Sequence, residues 1–435
     1  MKVAIIGSGI SGLAAAHTLG SSANITLFEA NSYFGGHANT VNVTLPTPEG
    51  NITHGIDTGF LVFNQKTYPE LIRLFKSLNV STASSDMSFS VQVPNAINQR
   101  KLEWSGSNLN TVFSQRSNLL RPRFWFMLKD ILRFNALCTK LAANLDDQEL
   151  LTQTLEAFLV EHKFGQAFRE WYLLPMLGCI WSCPTQQMLQ FPVATMIRFC
   201  HNHGLVQVND RPQWLTVNNG SRQYIEKITA GIADKRLNTP VLQIRRNQKN
   251  VQILTANGLE HFDHVIMATH SDQALRLLEQ ATPRERDILG AIQYQANRAI
   301  LHTDTSVLPD NKLAWASWNY ERSANTDTSS AGICLHYLIN RLQPLPFSQP
   351  VIVSLNPVKP INPATIIGEY SYEHPVFDMA AIYAQKTLKK IQGQNRTWYC
   401  GAWTGYGFHE DGLVSGMQVA RELMAQQQET LKQAA

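Results

Sequence analysis

Residues 2–12 place the tightest constraint on this chain. Lys2-Val3-Ala4-Ile5-Ile6 is a short apolar run with β-branched side chains, and Gly7-Ser8-Gly9-Ile10-Ser11-Gly12 follows without a break. Leu13-Ala14-Ala15-Ala16 then favours a helix. Strand, G-x-G-x-x-G and helix in that order form a phosphate-binding turn. Gly7 permits the tight turn, Gly9 lets the backbone approach a pyrophosphate, and Gly12 lets helix close on strand. The free N–H groups of the helix N-terminus then meet the phosphate charge. A second strand, Asn24-Ile25-Thr26-Leu27-Phe28, ends at Glu29. An acid at that spacing suits a ribose hydroxyl. The alternative is a glycine-rich turn in another kind of α/β protein.

Downstream, nucleotide-type pieces alternate with long insertions. The first helix is expected to stop near Leu19, before Gly20-Ser21-Ser22. Paired glycines at Gly35-Gly36 would let a loop pass close to a ligand. Apolar spacing predicts an amphipathic helix over Tyr68–Leu78, with Leu71, Leu74, Phe75 and Leu78 on one stripe. Strands are expected within 85–105. Residues 107–205 read as mostly helical, with helices at Leu151–Val160, Gly165–Leu174 and Thr195–His203 punctuated by Pro175, Pro184 and Pro192. A helix over Arg222–Ile232, strands at Val241–Ile244 and Val251–Leu254, and a buried-type strand over Asp263–Thr269 follow. Residues 293–372 are mixed and strand-like. His374–Ile391 is expected to be helical, Thr397–Gly401 a strand and Gly412–Ala425 a helix with a frayed Gln-rich end. This order predicts an α/β fold. A Rossmann-like domain is assembled from three segments, 1–64, 206–292 and 393–435. The insertions form an α+β substrate domain, mostly helical at 65–205 and a mixed sheet at 293–392.

Hydrophobic content of 44% and charged content of 16% describe an ordinary folded chain. A net charge of +4 is too small to imply nucleic acid, and it permits mild attraction to an anionic membrane. The six cysteines form no C-x-x-C pair, so reduced, buried thiols in a cytoplasmic protein are expected. Cys179 and Cys183 would share a helix face if their segment is helical. His201 and His203 with Cys200 lack a partner pair at zinc spacing, so no metal is expected. The first apolar run is already used as a strand, so no secretory signal is expected, and no apolar run is long enough to span a bilayer.

With these motifs in hand, the chain resembles the flavin amine oxidase and phytoene desaturase superfamily over essentially its whole length. Gly7-x-Gly9-x-x-Gly12 with Glu29 is similar to its FAD fingerprint. Gly35-Gly36-His37 resembles its Gly-Gly-Arg loop with His37 in the Arg position, and Asp57-Thr58-Gly59 resembles the next loop. Asp263–Thr269 resembles the strand near the adenosine half. Cys400-Gly401-Ala402-Trp403-Thr404 through Gly416 resembles the last flavin motif, with Ala402 where an acid is common. The resemblance implies noncovalent FAD, with contacts from Gly7, Gly9, Ile10, Ser11, Gly12, Glu29, Gly35, Gly36, His37, Asp57, Gly59, Val241, Ala268, Gly401, Asp411, Gly412 and Leu413. It also implies a C-terminal helix starting near Gly412, whose Gly412 and Leu413 N–H groups face the flavin pyrimidine edge. No lysine falls in a motif matching the lysine–water pair of amine oxidases.

Phe408-His409-Glu410-Asp411-Gly412-Leu413, with Glu373-His374-Pro375-Val376-Phe377, is similar to a bacterial flavoprotein branch. Its members accompany cyclopropane-fatty-acid-type methyltransferases, and some resemble desaturases of methylated fatty acyl chains. The branch implies a lipidic substrate: a hydride leaves an activated, allylic carbon for flavin N5, and a base takes a proton. A methyltransferase is then a pathway partner. His409 or Glu410 is a candidate for the proton, Tyr406 and Phe408 for flanking the reacting carbon, and His374 for the flavin face. The alternatives for Glu410, Asp411 and His374 are helix capping and helix entry. An amine oxidase, a carotenoid-type desaturase or isomerase, and a flavin-binding subunit without its own activity stay open. Arg121–Phe134 mixes aromatics with Arg and Lys. It reads either as a membrane-surface helix, peripheral on the inner face, or as an ordinary helix with snorkelling cations.

Overall fold

The computed structural model describes residues 1–97, 100–144, 148–207, 211–323 and 333–434. The strand Lys2–Ile6 sits at the centre of a five-stranded parallel sheet, ordered Asp234–Arg236, Asn24–Phe28, Lys2–Ile6, His264–Met267, Thr397–Tyr399. These strands come from the start, middle and end of the chain, and every neighbouring pair is parallel. Val3, Ala4, Ile5, Val265 and Ile266 are fully buried, as expected of a sheet covered on both faces. The helix Ile10–Leu19 lies on it, and the C-terminal helix His409–Ala434 packs along that helix. Small residues set the approach: a Cβ on Gly416 would stand 2.1 Å from the Ser11 carbonyl oxygen.

A seven-stranded mixed sheet forms the second layer, ordered Ile366–Val376, Gln293–His302, Ile352–Leu355, Cys334–Leu338, Trp318–Glu321, Phe89–Ile97, Arg100–Ser105. Its one parallel pairing joins Trp318–Glu321 to Phe89–Ile97, strands far apart in sequence. Val241–Arg246, Val251–Thr255 and Gly258–Phe262 form a separate antiparallel sheet, not part of the parallel one. The helix Pro69–Ser77 packs Leu71, Leu74 and Phe75 into the core that also holds Leu13, Leu27 and Ile266.

Several helix readings differ from the structure, and the one over Leu151–Val160 is two helices, Gln148–Thr152 and Leu155–Glu161, parted where Thr154 caps the second. The segment expected to stop at Pro175 runs on: Gln166–Phe168, a π-helical turn Arg169–Leu173 and Leu174–Trp181 follow end to end. Pro175 has no N–H for the Trp171 carbonyl four residues back. The Trp104 indole supplies that donor at 3.2 Å. The helix ends at Trp181, with Ser182 left-handed, so Cys183 lies beyond it and shares no helix face with Cys179. A further difference is His374. It is not at a helix start but inside the strand Ile366–Val376, and the helix begins only at Met379. All six cysteines are free and buried. No helix among the described residues is long and apolar enough to cross a membrane.

Candidate functional site

A cavity of about 770 Å³ lies between the parallel sheet and the seven-stranded sheet. It opens where strands of the parallel sheet end, the usual binding crevice of this topology. Gly7, Gly9, Ile10, Ser11, Glu29, Gly35, Gly36, His37, Gly59, Val241, Ala268 and Gly401 line it, together with His374, Tyr406 and His409. Gly12, Asp57, Glu410, Asp411, Gly412 and Leu413 do not.

The glycine turn divides its work by position. Gly7 holds φ +98°, a left-handed conformation that side chains resist. A Cβ on Gly12 would stand 2.0 Å from the Gly7 carbonyl oxygen, so this glycine closes helix on strand. A Cβ on Gly9 would meet nothing within 4 Å. The space in front of Gly9 belongs to the cavity, and it suits a pyrophosphate at the helix N-terminus. Glu29 Oε2 accepts from the Ser8 N–H at 3.0 Å and the Ser8 hydroxyl at 2.6 Å, and Oε1 accepts from the Asn31 N–H at 2.9 Å. A carboxylate has further lone pairs for a ribose hydroxyl. Ser8 was missed in the sequence because a variable position of G-x-G-x-x-G carries no pattern of its own.

Histidines form the next wall. His37 is half-buried and its ring faces those of His374 at 5.3 Å, His270 at 6.3 Å and Tyr372 at 5.0 Å. It hydrogen-bonds the Glu373 backbone, and its Nε2 has no partner among the described residues. Burial holds its pKa well below the usual value, helped by the neighbouring His374 and His270. A buried acceptor without a donor is costly, and a bound cofactor's hydroxyl or ring N–H would satisfy it. His374 Nδ1 lies 3.1 Å from the Asn297 amide nitrogen. Asn297 Oδ1 accepts from Asn356, which fixes the amide orientation, so Asn297 donates to Nδ1. His374 therefore carries its proton on Nε2, and burial lowers its pKa to about 4. It is a neutral donor with its acceptor lone pair already used. His270 stacks on Tyr294 at 4.3 Å and lies 3.4 Å from the Glu373 carboxylate. Sequence reading missed His270 and Tyr372. Tyr370, Tyr372 and His374 alternate as strand residues on one face, a signal hidden once a helix had been placed from His374.

His409 lies at the first turn of the C-terminal helix, its ring stacked on Phe60 at 3.8 Å and its Nε2 2.7 Å from the Tyr224 hydroxyl. Burial lowers its pKa to about 3, so it is neutral near pH 7. Glu410 is turned away from the cavity. Its two oxygens accept the backbone N–H groups of Glu70 at 2.8 Å and Leu71 at 3.0 Å, capping the helix Pro69–Ser77 from outside. Asp411 accepts the Phe408 N–H at 2.9 Å and so caps its own helix. The C-terminal helix starts at His409, not near Gly412. The Gly412 N–H already bonds the Phe408 carbonyl, so neither Gly412 nor Leu413 offers a free donor. The donors that helix geometry leaves over belong to the turn His409–Asp411. Asp57 is also withdrawn: it accepts from Ser221, Thr40 and Gln343, tying three loops together, and burial raises its pKa to about 6.

The remaining wall is aromatic and aliphatic. Phe408 stacks on Phe199 at 4.8 Å, and Trp181 stands 4.7 Å from Phe199. Leu61, Val62, Ile180, Trp214, Trp318, Tyr337 and Leu355 extend it. Tyr406 accepts the Trp181 indole N–H on its backbone carbonyl, and burial raises its phenol pKa despite a hydrogen bond from Arg198. His203, set aside with Cys200 and His201, lines the cavity and bonds the Phe199 carbonyl.

A second group of ligating side chains, Glu321, Cys334 and His336, lies buried in the seven-stranded sheet, outside the cavity lining. The Asp304 N–H donates to His302 Nδ1, so His302 donates through Nε2 to Ser354. The Ser354 hydroxyl oxygen also lies 2.7 Å from His336 Nδ1. His336 Nε2 lies 3.3 Å from Glu321 and 3.4 Å from Cys334. Burial works to lower its pKa, but Cys334 and Glu321 outweigh burial and raise it to about 9.

The model of the family described as flavin containing amine oxidoreductase matches residues 10–350. No curated protein sequence matches the chain. Among solved structures, a CLA-producing fatty acid isomerase from P. acnes aligns at 14% identity and TM-score 0.66, covering 97% of this chain and 98% of that one. Putrescine oxidase bound to putrescine aligns at 13% identity and TM-score 0.66, covering 98% and 99%. Cyclohexylamine oxidase from Brevibacterium oxydans aligns at 16% identity and TM-score 0.63, covering 97% and 99%. At these identities the likeness to solved structures shows the fold.

Proposed function

The chain belongs to the flavin containing amine oxidoreductase family and is an FAD-dependent oxidoreductase; on that premise we propose that it desaturates a lipidic substrate, a methylated unsaturated fatty acyl chain of a phospholipid. The observation that carries this reading is the composition of the cavity wall beyond the glycine turn. Trp181, Phe199, Trp214, Trp318 and Phe408 make it apolar, and no lysine lines it among the described residues. Of its two lining carboxylates, Glu29 is held by Ser8 and Asn31, and Glu373 stands at the histidine wall, 3.4 Å from His270. The aromatic stretch of wall offers an alkylammonium no anion, whereas an acyl chain needs none.

Bound FAD would supply the redox chemistry as acceptor of a hydride from an allylic carbon, and the second hydrogen would leave as a proton to the lining Glu373 carboxylate. The chain's other residues hold and shield. Gly7–Ser11 and Glu29 would hold the ADP half, and His37 Nε2 offers it an acceptor. His374 Nε2–H offers a donor. His409 is a positioning residue that locks Phe60 and Tyr224. Tyr406 is protonated near neutral pH and flanks the substrate with Phe408, while the aromatic wall excludes water. A fatty acid isomerase shares this fold, in keeping with an apolar chain as substrate.

The test is product analysis. Holoprotein is given phospholipids with methylated monounsaturated chains in air, and separately a panel of amines. Loss of two hydrogens from the acyl chain by mass spectrometry supports the reading. Aldehyde from amines with unchanged lipid refutes it, and a shifted double bond at unchanged mass makes the protein an isomerase.

A further inference from the structure

The helix Pro122–Leu141 buries Phe124, Met127, Phe134, Asn135 and Cys138. Its opposite face exposes large apolar side chains. Trp125 is 48% exposed, Phe126 63% and Leu132 60%, and just before the helix Leu119 is 46% and Leu120 88% exposed. With Leu109, six of the fifteen large exposed apolar side chains among the described residues fall between positions 109 and 132. That concentration marks a patch, not scatter.

Cations share the surface. Arg116, Arg123, Lys129 and Arg133 are all exposed. The acid on this helix, Asp130, is turned to the Gly165 N–H and to Arg133. Arg123 and Lys129 have no ion-pair partner among the described residues. The Trp125 indole donates to the Leu119 carbonyl at 2.9 Å, pinning the Leu119-Leu120 turn against the helix as one relief.

We propose that this face docks on an anionic phospholipid bilayer. Trp125, Phe126, Leu119, Leu120 and Leu132 enter the interface, and Arg123 and Lys129 meet the headgroup phosphates. Trp, Phe and Leu interleaved with Arg and Lys on one helix face is the composition of a helix lying in the membrane plane. Unpaired cations at its edge select anionic lipid. Phe134 and Cys138 of this helix share a core with the cavity-lining Trp181 and Phe199, so the docked helix belongs to the subdomain that walls the cavity. The proposal stands on the surface alone and serves the lipid reading without resting on it.

The test is flotation of holoprotein with vesicles of phosphatidylcholine, alone or mixed with phosphatidylglycerol. Binding is expected on the mixed vesicles only, and is expected to weaken with added salt. Arg123→Gln and Lys129→Gln should each weaken it roughly fivefold. Leu120→Ser with Phe126→Ser should weaken it by about tenfold or more. These positions are exposed, so melting temperature and flavin absorbance should stay as in the parent. No binding to mixed vesicles, or equal binding by all variants, overturns the proposal. A dimer seen by light scattering and lost in Leu120→Ser/Phe126→Ser, without vesicle binding, assigns the patch to a second copy and also overturns it.

Discussion

Two glycines three positions apart carry different loads. Gly12→Ala drives a methyl into the Gly7 carbonyl and should destabilise the apoprotein by about 3 kcal/mol. Gly9→Ala meets open space in the protein alone. It should change apoprotein stability by less than about 1 kcal/mol while weakening FAD binding strongly. Urea titration beside flavin titration separates them, and a large loss of apoprotein stability in Gly9→Ala would contradict the assignment. His374 gives a pH prediction. Its folded pKa of about 4 lies below the ordinary 6.5, so the unfolded chain binds its proton first as pH falls. Its contribution is complete above pH 6.5 and is lost as pH falls through about 4, amounting to about 3 kcal/mol. His374→Gln should flatten that acid limb of stability, measured by urea unfolding across this range, and an unchanged limb would contradict it. At this scale the glycines and Glu29 were legible, because their backbone demands are local. The His374 tautomer was not, since it depends on Asn297 and Asn356, two residues distant in sequence.

At the scale of elements, Glu410 shows how a polar cluster misleads. In sequence it sits among Tyr406, His409 and Asp411 and reads as an acid–base candidate. In the fold it caps the helix Pro69–Ser77 from more than three hundred positions away. Glu410→Ala should lower stability by about 1 kcal/mol, a capping loss, and leave turnover within about twofold. A loss of turnover by orders of magnitude at unchanged melting temperature would return it to catalysis. Four of the five parallel strands were legible because buried β-branched runs end in recognisable turns, whereas the edge strand Asp234–Arg236 is charged and carries no such pattern. The edge strand Ile366–Val376 was not legible, since Pro375 after His374 imitates a helix start. The helix through Pro175 was hidden for a related reason: its missing donor is replaced by Trp104, far off in sequence.

At the scale of the whole molecule, three chain segments close one sheet, and the cavity lies between that sheet and a second one. FAD held there noncovalently stabilises the fold by mass action, about 2.7 kcal/mol at a hundredfold excess over its dissociation constant. Acid precipitation should leave the flavin in the supernatant, and refilling the apoprotein should restore its melting temperature. Flavin that stays with the pellet would mean a covalent link. The central claim, an apolar chain oxidised against the flavin, is tested most directly by anaerobic bleaching of the yellow holoprotein. Phospholipids bearing methylated monounsaturated chains should bleach the flavin band, and amines should leave it unchanged. Bleaching by amines alone, with lipid inert, would contradict the account.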